Sequence, residues 1–111
     1  MSIRDLVREV QREMAGGDME PQRAADRLLR LTALLGNINE EIREADVVYA
    51  RVLLWHLDKE QTANRARMRA EITPEYQRRR EARDTKELAH EMIGGLKYYL
   101  RSVAEEMRLQ R

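Results

Sequence analysis

Ten residues between Ala24 and His56 recur at alternating intervals of four and three: Ala24, Leu28, Leu31, Leu35, Ile38, Ile42, Ala45, Tyr49, Val52 and His56. A straight α-helix turns once every 3.6 residues, so an apolar period of 3.5 held for over four repeats keeps one stripe facing a neighbouring helix. This seam fixes the fold class as all-α and coiled-coil-like. Composition agrees: Phe is absent, Gly and Pro number 5 and 2, and 37% of residues are charged, as in long amphipathic helices whose outer faces carry both signs. From Val47 to Leu57 the apolar residues Val47, Val48, Val52, Leu53, Leu54, Trp55 and Leu57 surround the helix rather than line one face. Such a segment is expected to pack on more than one neighbour.

Around this seam the chain reads as a single helical domain over 1–111. Ser2 and Asp5 make a short capping box for a first helix over 1–15, with Ile3, Leu6, Val7, Val10 and Met14 as its apolar stripe and Gly16–Gly17 as its stop. Pro21 suits the first position of a long helix over 21–72. The register passes undisturbed through Gly36–Asn37, although Asn37 and Glu40 resemble a new cap, and a continuous or kinked helix is expected there. Beyond Asp58 the seam positions shrink to Lys59, Ala63, Ala66 and Ala70. Thr73 and Pro74 signal a restart, and a return helix over 74–109 carries the seam Ala89, Ile93, Leu96, Leu100, Val103 and Met107. Gly94 and Gly95 cost that helix on the order of 2 kcal/mol relative to alanine, so they imply either a close helix approach or a kink.

With the bend at Thr73–Pro74, the expected architecture is a short N-terminal helix plus a long antiparallel hairpin, Leu88–Val103 lying beside 44–59. The polar arms 59–72 and 75–87 then form a protruding tip. Two helices and a short third leave the apolar zones only partly covered, so assembly into an oligomeric bundle is expected through the seam residues Leu28, Leu31, Leu35, Ile38, Ile42, Tyr49, Val52, Trp55, Ile93, Leu96, Leu100 and Val103.

The net charge of +1 hides an asymmetry: residues 1–58 carry 8 basic and 11 acidic side chains, residues 59–86 carry 9 and 5, and residues 87–111 carry 4 of each. Within the basic stretch, Arg65 and Arg69 share a helical face with no acidic residue three or four positions away, whereas Arg67, Arg79 and Arg80 have Glu71, Glu75 and Asp84 for intrahelical pairing. Arg79, Arg83 and Lys86 form a second row, with Tyr76 one turn before Arg79. These six residues, Arg65, Arg69, Tyr76, Arg79, Arg83 and Lys86, are the candidate contacts for the phosphates and bases of DNA or RNA. A solvated tip, or one that meets an acidic protein partner, is the competing reading.

Glu87 and His90 have the Glu-x-x-His spacing of di-iron bundles, and the expected hairpin register would bring His56 and Glu60 towards them. A full site needs two such motifs and further glutamates, so a metal-binding bundle is the remote alternative; no metal and no cofactor are expected. The serines and threonines sit in capping or exposed positions with no base and orienting acid beside them, so an enzyme is not expected. Cysteine is absent, no apolar run approaches a bilayer span, and the basic stretch lacks an apolar opposite face for lipid. A cytoplasmic protein without a membrane partner is the expectation.

The segments "NINEEIREADVVYARVLLWHLDKEQTANRARMRA" and "TPEYQRRREARDTKELAHEMIGGLKYYLRSVAEEMRL" together resemble small helical proteins encoded among the early replication and recombination genes of tailed bacteriophages. The likeness spans roughly residues 20–109 and is carried by general features, namely Ala-x-x-x-Tyr, the Arg-rich centre and Leu-Lys-Tyr-Tyr-Leu-Arg. It implies a phage setting in the host cytoplasm and a non-enzymatic accessory role beside nucleic acid or a replication or recombination protein.

Overall fold

The computed structural model describes residues 2–17 and 19–110, which form four α-helices: α1 (Ile3–Gly16), α2 (Pro21–Lys59), α3 (Ala63–Ala70) and α4 (Pro74–Leu109). The first residue of the expected 1–15 helix lies outside the described residues. By packing, the chain divides into two compact units, one made of Met1–Gly36 with Thr85–Arg111 and the other of Asn37–Asp84. α2 and α4 contribute to both, and neither breaks at Gly36–Asn37 or at Gly94–Gly95.

In the first unit α1 begins as its sequence dictates. Ser2 accepts a hydrogen bond from the Asp5 backbone N–H at 3.2 Å, and in return the Ser2 hydroxyl and backbone N–H hold the Asp5 carboxyl below its usual range. Gly17 ends the helix at φ 77°, a left-handed conformation that L side chains disfavour, and its N–H bonds the Met14 carbonyl. The stripe between these caps buries Leu6, Val7 and Val10, each worth about 1.5–3 kcal/mol of apolar burial, against Ala24 and Leu31 of the seam and Ala89, Ile93 and Leu96 of α4 as the rest of that unit's core. Tyr99 donates its hydroxyl to the Met19 carbonyl, which fixes the segment leading into α2. A Cβ on Gly95 would lie 2.6 Å from the Met14 methyl, so the close-approach reading holds for Gly95, while nothing approaches Gly94.

The second unit differs from expectation. The 21–72 helix ends at Lys59, and after Glu60–Thr62 a new helix starts with Thr62 accepting from the Arg65 N–H at 3.1 Å. Its inner side is only Ala66 and Ala70, too little apolar surface to prolong the seam, and the Thr62 cap satisfies a donor at the start of the new helix. Thr73 then serves two helices: its hydroxyl donates to the Ala70 carbonyl at 2.6 Å and accepts from the Tyr76 N–H at 3.3 Å. The chain therefore reverses through two corners with α3 between them. As a result, residues 41–49 of α2 meet 76–83 of α4, a register within this unit that differs from the expected one, which set 44–59 beside Leu88–Val103. All ten positions of the α2 seam are nevertheless buried or half-buried.

Candidate functional site

The acidic inner half of α2 and the basic start of α4 neutralise one another. Arg78 grips Glu41 with both arms, Nε to Oε1 at 2.8 Å and Nη2 to Oε2 at 3.1 Å, and reaches Glu44 at 3.4 Å. The Asp46 carboxylate accepts from Arg79 Nε at 3.0 Å and from Arg83 Nη2 at 3.0 Å on each oxygen. Bonding from Arg78 holds the Glu41 carboxyl below its ordinary range; at Asp46 burial pushes the other way but the two arginines outweigh it. The charge asymmetry of the sequence is thus resolved within the 37–84 unit.

This pairing engages several of the candidate nucleic-acid contacts. Arg79 and Arg83 are bound to Asp46, Arg69 reaches Glu60 at 3.4 Å, and Tyr76 turns its ring towards Tyr49, centroids 5.4 Å apart, with the Arg79 guanidinium over that same Tyr49 ring at 4.8 Å. Lys86 is half-buried and falls in the other unit, while Arg65 is exposed with no carboxylate within ion-pair distance among the described residues. The expected intrahelical pairs Arg67–Glu71, Arg79–Glu75 and Arg80–Asp84 are likewise not made, since partners on α2 outcompete them for Arg79 and no partner is near Arg67 or Arg80 among the described residues. Arg65, Arg67 and Arg80 are the basic side chains of this stretch left to solvent.

The metal alternative called for His56 and Glu60 to join His90 and Glu87, and both of the former are engaged within the 37–84 unit. Glu60 pairs with Arg69 and His56 packs edge-on against Trp55, centroids 4.9 Å apart. Among the described residues no group of three or more His, Cys, Asp or Glu could hold a metal ion, and no helix is long and apolar enough to cross a membrane.

What stands open is the outward side of α2. Trp55, expected in the seam, is 59% exposed, and Leu54 is 65% exposed, with Val47 and Leu57 also at the surface. Arg43, Val47, Ala50, Leu54 and Leu57 recur at intervals of 4, 3, 4 and 3, a second seam on the side of α2 opposite the buried Ala45 and Tyr49. Trp55 lies beside it, resting on His56 with the Lys59 ammonium 5.7 Å from its ring. Trp55 is adjacent to the seam residue His56 in the chain but about 100° from it around the helix, and that phase was the signal that could have separated the two. At the other end of this face a shallow open depression is lined by Arg43, Glu44, Val47, Val48 and Arg78.

No protein-family description matches the chain, and comparison with curated proteins and with solved structures finds no match.

Proposed function

We propose that the protein is a non-enzymatic helical interaction module that works by docking a protein surface on the outward face of α2. The observation that carries this reading is the contrast in the 37–84 unit between basic residues already paired to Glu41, Glu44 and Asp46 and the apolar side chains Val47, Leu54, Trp55 and Leu57 presented to solvent. Contiguous exposed apolar surface rimmed by charge is the ordinary mark of a protein-binding site. The resemblance to phage replication and recombination proteins supplies candidate partners, a second copy of the chain or a protein of that machinery.

A second reading has a separate support. Arg65 and Arg67 on α3, with Arg80, are exposed and unpaired, and several such tips in one assembly would hold a phosphate backbone by multivalency.

One pair of titrations separates the two. The interaction reading expects an apolar dye such as anilinonaphthalene sulfonate to bind the native chain at high dilution, where no partner covers the face, and to lose most of that binding in Leu54→Glu, while labelled DNA and RNA bind weakly at all salt concentrations. No dye uptake, together with nucleic-acid affinity that falls steeply with salt and collapses in Arg65→Glu/Arg67→Glu, would replace it with the phosphate reading.

A further inference from the structure

We infer that the occupant of the α2 face is a second copy of the same chain, laid antiparallel about a twofold axis between Ala50 and Arg51. The inference rests on the reading of the chain as an interaction module and adds the partner and the register. About this axis Val47 meets Leu54 of the second copy, twice by symmetry, and the small Ala50 beside the axis lets the two helices approach. Arg43 meets Asp58 of the second copy, so each end of the seam closes with opposite charges.

Neighbouring registers do not match. An axis through Arg51 itself sets Arg51 against Arg51 and Glu44 against Asp58. A shift of one turn towards the N-terminus sets Arg43 against Arg51, and one turn the other way leaves Val47 opposite Gln61, beyond the end of α2 at Lys59. An axis through Ala50 sets Leu54 against Asp46 and gives up the Arg43–Asp58 pair, so apolar and charge complementarity together favour the alignment between Ala50 and Arg51.

The same axis accounts for Trp55. A twofold perpendicular to both helices keeps each side of the seam on its own side in the pair, and Trp55 and Val48, seven residues apart, share a side. In the selected register Trp55 of the second copy comes level with residue 46, over the depression lined by Glu44, Val47, Val48 and Arg78. The large exposed ring on this face and the depression at its other end are thus related by the axis that pairs Arg43 with Asp58. An aromatic anchor entering a pocket beside a guanidinium is the usual energetic centre of such an interface.

The test is sedimentation equilibrium of the native chain and its variants from submicromolar to hundreds of micromolar, with Trp55 emission recorded alongside and circular dichroism as a check of folding. The expected result is a dimer whose formation shifts the emission to the blue, and Leu54→Glu, altered at an exposed position, stays helical and monomeric. Arg43→Asp and Asp58→Arg each weaken the dimer roughly tenfold, since each sets like charges together at both ends. Mixing these two variants restores association, because the mixed pair regains both opposite-charge contacts. A dimer indifferent to the charge reversals, or not restored by mixing, overturns the register. A chain that stays monomeric yet loses dye uptake in Leu54→Glu overturns the second copy as occupant and leaves the interaction reading standing; a monomer without dye uptake removes both.

Discussion

In the unit formed by residues 1–36 and 85–111 the buried side chains include Leu6, Val7, Val10, Leu31, Ile93 and Leu96, whereas in the 37–84 unit four of the six buried residues are the alanines Ala45, Ala66, Ala70 and Ala82. The first unit turns its large aliphatic side chains inward and adds a buried cation: Arg27, 7% exposed, is held by Glu9 at 2.9 Å and Glu13 at 3.1 Å, with Arg23 on Glu13 at 2.7 Å. The second packs small residues and two tyrosines inside, ties its helices with half-exposed ion pairs, and leaves Leu54, Trp55, Met68 and Ile72 outside. Stability in one unit is apolar and internal. In the other much of the apolar surface remains to be covered, which is what an interaction surface requires.

The sharpest way to break this comparison is to hollow out the first unit. Leu31→Ala or Leu6→Ala is expected to cost about 2–5 kcal/mol in denaturant unfolding, against well under ~1 kcal/mol for Leu54→Ala on the second at dilutions where the chain is monomeric. Equal losses would mean that the outward face is not outward in solution. Arg27→Ala takes Glu9's partner away while Glu13 keeps Arg23, and should cost about 2 kcal/mol by the same measurement.

Acid should also find the first unit. Hydrogen bonds from Arg23 above all, opposed by burial and aided by Arg27, lower the Glu13 carboxyl from 4.5 to about 2. The unfolded carboxyl takes its proton first as pH falls, so this stabilisation is complete above about 4.5, shrinks towards 2 and is absent below. After allowance for solvent screening it amounts to on the order of 1–2 kcal/mol. Melting temperatures of the native chain and Glu13→Gln should converge across that range, and curves that stay parallel would remove the ion pair from the account.

Smaller effects sharpen the picture within each unit. Gly94→Ala meets open space and should stabilise α4 by about 0.5–1 kcal/mol, while at Gly95 the same gain is offset by displacement of the Met14 methyl and the net change should lie near zero. Thermal melts that rank them in the opposite order would deny the close approach of α1. Asp46→Asn, at a pair open to solvent, is expected to cost about 0.5 kcal/mol at low salt and less at high salt.

Much of this was legible from residue spacing alone. The α2 seam, the caps at Ser2 and Thr73 and the stop at Gly17 are local, and each follows from period or turn chemistry within a few residues. The break at Glu60–Thr62 was not, because Glu, Gln and Lys there are acceptable helix formers and the outcome depends on where Ala66 and Ala70 can pack. That corner also sets the register of α4 on α2, and with it the partners of Arg79, Arg83 and Tyr76. The encircling apolar residues of 47–57 leave Val47, Leu54, Trp55 and Leu57 at the surface; that Trp55 lies outside the buried seam depended on its phase, one residue short of His56.

The first unit is also discontinuous in sequence, and its Tyr99–Met19 contact joins residues 80 apart, whereas the Arg78–Glu41 contact of the second spans 37. Closing a long loop costs more chain entropy than closing a short one and delays the contacts that reward it. The region with the poorer core is therefore the one expected to organise first. Pulse-labelled hydrogen exchange during refolding would show amides of 37–84 protected ahead of those in the 85–109 part of α4, an order of assembly opposite to the order of final strength.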